Sequence, residues 1–334
     1  MHKDARHHGG WEHRDLHNEW GMLVPMSTAR GQVARSGGTL RPFVLTRAAF
    51  AGSQRFGAKW TGDNTAQWSH LQHTVPMLLS SSVAGISFIG ADIGGFFGDP
   101  DTQLLVRWYQ AAAFQPFVRA HAHIDTRRRE PYLFGEETTR LVRDALRQRY
   151  RFLPLWYTLF YENELSGLPP MRPLLFSFPE DVSVYATDDQ YLVGEALLVH
   201  PQTAQDGRSV SVYFPGPQTV WYDVVTAERF THGTSTVNTP IDKVGPSVMV
   251  SSLWWGVGLE PFVLRSPQQL WNSRRAGSRG QDSGLVRHGM GDSRCAPGLE
   301  LQLSSQHWAW KAVAVIIIAA VFLSGSLLQP RRGV

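Results

Sequence analysis

The sequence predicts an α/β fold in its first half and an all-β segment behind it. Short apolar runs alternate with longer segments in which apolar residues recur every three or four positions, a pattern typical of parallel β/α units. After Phe178 it gives way to short strands separated by Pro/Gly turns such as P-G-P at 215–217. Of the 334 residues 43% are apolar, with twelve Trp and seventeen Phe, so the chain can bury a substantial core.

The individual elements follow from the spacing of apolar residues. Four helices are predicted: 11–30, which Gly31 ends, 75–80, 104–114, and 139–164, which Pro154 kinks. Four strands are predicted in the first half: 43–46, 85–90, 117–118 and 171–176. Three more follow: 191–199, 209–214 and 219–224. Because the carboxyl ends of parallel strands meet at one rim, polar residues just behind the first strands are candidates for a site.

Charge and cysteine content exclude several classes of function. The net charge is +4, but the Lys and Arg residues are spread along the chain, so we expect no nucleic-acid partner. A single cysteine, Cys295, excludes an internal disulfide framework and a multi-cysteine zinc site. His13 and His17 have the i,i+4 spacing of zinc ligands but lack the Glu of an H-E-x-x-H motif. We therefore expect no metal.

The segment 41–64 combines the residue types that sugar cleavage requires. The apolar run in R-P-F-V-L-T-R ends in Arg47, and W-T-G-D-N places Asp63 sixteen residues later, beside Trp60. A fixed donor for hydroxyls, an aromatic wall and a protonatable acid are the parts of a glycosidase site. On these residues alone a structural reading stays open, in which Asp63 caps a loop and Arg47 forms an ion pair at a strand end.

These segments resemble glycoside hydrolase family 31, whose members include retaining α-glucosidases. Further matching segments follow in the family's order: F-A-G-S-Q (50–54), G-A-D-I-G-G-F (90–96), R-W-Y-Q (107–110), F-V-R-A-H (117–121) and R-R-E-P (128–131). The resemblance runs from about His7 to about Val244. It implies that residues 1–177 are the second half of a (β/α)8 TIM barrel, with strands five to eight, and that 178–250 form a small β-sandwich domain.

The resemblance also implies roles for individual residues. Asp63 would be the catalytic general acid/base, and Arg47 would bind substrate hydroxyls. The other substrate-binding positions are a carboxylate, an imidazole and two aromatic walls of the glucose subsite: Asp92, His121, Trp60 and Phe96. A core position is an equal alternative for Phe96. The implied substrate is a glucosyl oligosaccharide or glucan, and no cofactor is implied.

One departure from the family bears on activity. The family's nucleophile is the first Asp of a W-x-D-M-N-E segment, and the 334 residues contain no such segment. We expect this chain by itself to be an inactive fragment. Two alternatives stay open: a catalytically dead, membrane-tethered fragment that binds carbohydrate or a partner, and a gene-model product that never accumulates.

The last part of the chain departs from the family at about Gly245. Residues 251–307, rich in Arg, Ser, Gly and Gln, are predicted to be a disordered linker. The segment 308–330 contains twelve unbroken apolar residues at 312–323 and predicts a transmembrane or apolar tail helix, with an accidental apolar run as an equal alternative. The N-terminus shows no signal peptide. The resemblance implies the endoplasmic reticulum or the cytoplasm.

Overall fold

The computed structural model describes residues 1–242 and 247–251 of the chain. The predicted linker from 252 onward and the apolar segment 308–330 lie outside the described residues. In the described part, helices and short parallel strands come first and antiparallel β-structure follows. None of the helices described there is long and apolar enough to span a membrane.

Six α-helices lie in the first 166 residues of the chain. Their bounds are α1 His13–Leu16, α2 Trp20–Arg35, α3 Trp68–Val83, α4 Thr102–Ala112, α5 Glu136–Arg151 and α6 Leu153–Ser166. The prediction at 75–80 is confirmed as part of α3, and the helix predicted at 104–114 is α4, which begins two residues earlier and ends two residues earlier, at Ala112. The predicted helix at 11–30 is wrong in its bounds, because the segment holds two helices and the second passes through Gly31. Gln32 continues α2 and exchanges two hydrogen bonds with the backbone of Phe43, each 3.0 Å long.

The predicted long helix at 139–164 is two helices. Residue Phe152 leaves helical geometry (φ −95°, ψ 2°) and separates α5 from α6. Pro154 lies in the first turn of α6, where its missing N–H is not needed, so it helps to start a helix rather than to kink one. Tyr150 in the last turn of α5 is 70% exposed.

Short parallel strands form the centre of the first half. They are β1 Leu45–Thr46, β2 Ala58–Trp60, β3 Ile89–Gly90, β4 Asp92–Ile93 and β5 Arg119–Ala120. β1, β2 and β3 pair in that order, and β4 pairs with β5, all in parallel. Only Ala91 separates β3 from β4, and the Phe117 amide donates to the Ile89 carbonyl at 3.1 Å. The row therefore continues from β1 to β5.

One of the four strands predicted for this row, 171–176, is wrong, and β2 takes a place in the row that was not predicted. Strand β2 was not predicted, because its three residues, A-K-W, offer no apolar run. The predicted strand at 171–176 does not belong to the row, because β6 is only Met171–Arg172 and pairs antiparallel with the next strand, Met171 facing Val193. Pro173 and a 3-10 turn at Leu174–Phe176 end β6 after two residues.

The antiparallel part consists of two sheets. The strands are β7 Tyr191–Val193, β8 Leu197–His200, β9 Ser209–Phe214, β10 Trp221–Asp223, β11 Arg229–Phe230, β12 Gly233–Asn238 and β13 Ser247–Ser251. One sheet has the order β11-β10-β13-β8-β7-β6, and the other pairs β9 with β12. The predicted strand 209–214 is confirmed, and 191–199 is two strands. Val212 and Phe214 of β9 pack with Leu198 and Trp221 of the larger sheet in one buried cluster, as in a β-sandwich.

A second buried cluster fixes the strand ends of the parallel row. Leu104, Leu105 and Trp108 of α4 are at most 2% exposed and pack against Ile93 of β4. Each such side chain contributes roughly 1.5–3 kcal/mol by burial. Helix α4 thus holds β4, and with it Asp92, from behind.

Candidate active site

The four polar residues singled out from the sequence lie at the ends of neighbouring parallel strands. Arg47 follows β1, Asp63 follows β2 by three residues, Asp92 opens β4, and His121 follows β5. Parallel strands present their carboxyl ends on the same side, so these side chains belong to one rim. The missed strand β2 is the element that delivers Asp63.

Arg47 and Asp63 form an ion pair at this rim. Arg47 Nη1 lies 3.3 Å from Asp63 Oδ2, and the two side chains are 61% and 33% exposed. The guanidinium lies against Gly62, where an added Cβ would come within 2.9 Å of Arg47 Nε. Gly62 also has φ +90°, a conformation that favours glycine. The glycine of W-T-G-D-N therefore lets the cation approach the acid.

Asp92 is fully buried and is held by Arg119. Its Oδ1 accepts from Arg119 Nε at 2.9 Å and from Nη2 at 2.6 Å. Burial raises the pKa of Asp92; Arg119 and, less strongly, His121 oppose the rise, and the charge of Asp63 adds to it. Asp92 Oδ2 is buried and has no hydrogen-bond partner among the described residues.

Two aromatic contacts line the same rim. The Arg119 guanidinium lies 5.1 Å from the centre of the Trp60 ring, a cation–π distance. Phe96 stacks on His121 with ring centres 5.5 Å apart and an angle of 29° between the planes. Phe96 is half-buried and also contacts His123, so it is not a core residue. Direct contacts thus place the six predicted residues in three groups: Arg47 with Asp63, Trp60 and Asp92 with Arg119, and Phe96 with His121.

Sequence reasoning gave no role to three residues that hold this arrangement together. Arg119 binds Asp92 and covers Trp60, Asn64 bonds to the turn that carries Phe96, and Arg129 bonds to the same turn. For Arg119 a signal was present, since it precedes His121 by two residues and therefore faces the same side of the strand. The contacts of Asn64 and Arg129 span 28 to 35 residues and leave no local pattern.

The residues that the structure describes hold no group of three or more His, Cys, Asp or Glu side chains able to bind a metal ion. The N-terminal histidines bond to one another instead. His7 Nε2 lies 3.1 Å from His13 Nδ1, and His13 Nε2 lies 3.2 Å from His17 Nδ1. Both nitrogens of His13 are engaged on opposite sides of its ring, so the three imidazoles do not converge on one point.

Comparison with known proteins places the chain in a family. Residues 1–159 match the glycosyl hydrolases family 31 TIM-barrel domain, and residues 167–251 match the glycosyl hydrolase family 31 C-terminal domain. The chain belongs to glycosyl hydrolase family 31. The predicted (β/α) part and the β-rich part behind it correspond to these two domains in order.

The relatives at high identity are neutral α-glucosidases. Over 241 residues, 72% of this chain, the identity is 57% to neutral alpha-glucosidase AB of Sus scrofa and 56% to neutral alpha-glucosidase C of Homo sapiens. These residues cover 25% and 26% of those proteins, so the chain spans about a quarter of their length. The F-G-E-E-T-T-R-L segment at 134–141 predicts closer kinship to the C enzyme than to the AB enzyme. The two identities, 56% and 57%, do not distinguish between them.

Solved structures of the family share the fold. A Tris-bound glucosidase II alpha subunit superposes with a TM-score of 0.72 at 47% identity, covering 75% of this chain and 27% of that one. A Flavobacterium johnsoniae family 31 dextranase complexed with glucose superposes with a TM-score of 0.67 at 32% identity, covering 73% and 31%.

Proposed function

We propose that this chain carries the acid/base half of a retaining α-glucosidase site, with Asp63 as the general acid/base. The observation that carries the proposal is the Arg47–Asp63 pair, 3.3 Å apart, at the carboxyl ends of adjacent parallel strands. The row from β1 to β5 is the second half, strands five to eight, of a (β/α)8 barrel. In such barrels the active site lies at this end of the strands.

Asp63 has the access that its role requires. With a third of its side chain exposed, it can protonate the leaving glycosidic oxygen and later remove a proton from water. Arg47, beside it, offers its remaining donors to substrate hydroxyls. Phe96 with His121, and Trp60 under Arg119, form the walls of the glucose subsite.

A retaining mechanism also needs a nucleophilic carboxylate roughly 5–5.5 Å from the acid/base. Asp92 does not suit that role, because it is fully buried and its Oδ1 is bonded twice by Arg119. We assign the nucleophile to no residue of this chain, since the family's W-x-D-M-N-E segment is absent from its 334 residues.

The substrate we propose is an oligosaccharide with a terminal α-linked glucose. Two glucosidase II alpha subunit structures, bound to alpha3-Glc2 and to Glc1Man2, are 47% identical to this chain, and a probable glucan 1,3-alpha-glucosidase of Oryza sativa is 52% identical. These names favour an α-1,3 linkage. By the same relatives the compartment would be the endoplasmic reticulum or the cytosol.

Binding without turnover is a second candidate function. The aromatic walls, Arg47 and Asp92 all lie within the described residues and do not depend on a nucleophile to contact a sugar. A chain of this kind would retain glucose or a glucan without cleaving it.

The test uses a chimera in which residues of this chain replace the matching 241-residue segment of human neutral α-glucosidase C. Asp63→Asn in the chimera should abolish hydrolysis of an α-1,3-linked glucose disaccharide, about 10²–10⁴-fold. An aryl glucoside with a good leaving group should lose much less in the glycosylation step, because it needs little protonation. The matched control is Asp125→Asn, an exposed carboxylate near the same rim that pairs with His123. Equal losses on both substrates would show that Asp63 is not the acid.

A further inference from the structure

Asn64 directly follows the proposed acid and joins its loop to the neighbouring one. Its carbonyl accepts from the amides of Phe96 at 2.8 Å and Phe97 at 2.9 Å. Its side-chain Oδ1 accepts from the Phe96 amide as well, at 2.9 Å, and its Nδ2 donates to the Asp92 carbonyl at 3.0 Å. One side chain therefore ties both ends of the Asp92-to-Phe96 turn to the backbone that carries Asp63.

Asp63 is also restrained on its other side. Gly62 lies under the Arg47 guanidinium, and the Asn64 amide donates to the Gly62 carbonyl at 3.1 Å. The Asp63 backbone thus lies between Gly62 and Asn64, which are both restrained by neighbouring contacts. Since the carboxyl group is one methylene away from that backbone, its direction depends on the positions of Gly62 and Asn64.

The turn that Asn64 grips is held by other contacts too. The Arg129 side chain is 9% exposed and donates to the carbonyls of Gly94 at 3.1 Å, Gly95 at 2.5 Å and Gly98 at 2.7 Å. Gly95 has φ +85° and lies so close to Ala66 that an added Cβ would come within 2.3 Å of the Ala66 nitrogen. Loss of the Asn64 side-chain amide should therefore loosen the Asp92 end of the turn relative to the acid, while the Arg129 bonds and the backbone bonds from Phe96 and Phe97 to the Asn64 carbonyl keep the turn folded.

We propose that Asn64 is a positioning residue for Asp63, setting the angle at which the acid faces the glucose subsite. This inference rests on the proposed function, in which Asp63 is the general acid. A carboxylate at position 64 would keep the acceptor for the Phe96 amide but would oppose the Asp92 carbonyl with another oxygen. The acid would then shift away from the turn, and a misplacement of about 1 Å can cost about 10²-fold in rate.

The experiment compares Asn64→Asp with Asn163→Asp in the chimera described above. Asn163 is a matched control, because it is also half-buried and bridges two segments: its Oδ1 accepts from Ser87 Oγ at 2.8 Å and its Nδ2 donates to the Leu168 carbonyl at 3.0 Å. For each variant, kcat and KM are measured on an α-1,3-linked glucose disaccharide and on 4-nitrophenyl α-glucoside, together with the melting temperature.

We expect Asn64→Asp to lower kcat on the disaccharide by about 10²-fold. On the aryl glucoside kcat should fall by less than about tenfold, because this substrate depends less on the acid. Asn163→Asp should leave kcat on both substrates near that of the parent. Equal losses on both substrates, or equal losses in both variants accompanied by a lower melting temperature, would overturn the positioning role and leave Asn64 a structural residue. If Asp63→Asn separates the two substrates but Asn64→Asp does not, only this inference fails. If Asp63→Asn itself does not separate them, the proposed function fails.

Discussion

At the scale of single residues, the site is organised by arginines more than by carboxylates. Arg47 contacts Asp63, Arg119 bonds twice to Asp92, and Arg129 bonds to three carbonyls of the turn before Asp99. The guanidinium suits these tasks because its donors lie in one plane with fixed spacing. A compact ammonium on a flexible stem cannot reproduce two parallel hydrogen bonds.

Arg47→Lys in the chimera should therefore lower catalytic efficiency, although the substitution keeps the positive charge. We expect kcat/KM for the α-1,3-linked disaccharide to fall by at least about tenfold, which corresponds to one charge-assisted hydrogen bond of about 1.4 kcal/mol. Arg143→Lys, at an exposed arginine of α5, serves as control. A near-normal kcat/KM would reduce Arg47 to a structural ion pair.

At the scale of elements, α4 links the parallel row to the β-sandwich. Arg107 is 3% exposed and donates to the carbonyl of Thr239 at 2.6 Å, to that of Gly207 at 3.2 Å and to Gln110 Oε1 at 3.0 Å. Burial lowers its pKa to about 10, so it stays charged at neutral pH. Leu104, Leu105 and Trp108 of the same helix pack with Ile93 of β4, next to Asp92. Helix α4 thus contacts both the sandwich and the strand that carries Asp92.

Arg107→Met should destabilise the 334-residue chain strongly. The substitution leaves buried carbonyls without donors, and we expect the free energy of unfolding to fall by about 2–4 kcal/mol. Urea denaturation followed by tryptophan fluorescence measures this. Arg151→Met, at the exposed last residue of α5, should change stability by less than about 0.5 kcal/mol. A similarly small change for Arg107→Met would mean that the Arg107 hydrogen bonds to the sandwich do not stabilise the fold.

Strand β8 makes the sandwich sensitive to acid through His200. Burial lowers the pKa of His200, with a smaller opposing effect from Asp189, so the fold disfavours the charged imidazole. A lowered folded pKa means that stability is complete above the unfolded pKa of about 6.5 and is lost as the pH falls below it.

The melting temperature should consequently fall between pH 7.5 and pH 5.5 in the native chain, and His200→Gln should reduce that fall by up to about 3 °C. His8→Gln, at an exposed histidine, controls for the general effect of removing an imidazole. The interpretation is wrong if the pH dependence of melting is the same in the native chain and in His200→Gln.

At the scale of the whole molecule, the β1 edge of the parallel row is uncovered within the described residues. Within the described residues β1 pairs with β2 alone, and large apolar side chains near it are exposed: Val24 by 49%, Leu40 by 70% and Phe43 by 59%. Exposed apolar side chains beside an open strand edge are typical of a surface that another element covers. The site rim lies along this same row.

The 334-residue chain, expressed and purified as such, should show no α-glucosidase turnover. The double displacement needs two carboxylates, and the family's nucleophile segment is absent from this sequence. A sensitive fluorogenic α-glucoside assay measures the rate, with the chain carrying Asp63→Ala as the blank. Turnover that disappears in Asp63→Ala would contradict the prediction and require a nucleophile within the chain.

The sequence by itself determined the family and the order of the β/α and all-β parts, and it predicted the side chains of the rim. These follow from contiguous motifs such as W-T-G-D-N and from local periodicity, which a single chain displays directly. Tertiary structure alone decided that 58–60 is a strand, that 171–172 joins the antiparallel sheet, and that α5 and α6 are separate. Two- and three-residue strands have no periodicity of their own, because their pairing comes from partners about 15 to 30 residues away. For the same reason the contacts of Asn64 and Arg129 appear only once the strand ends lie side by side.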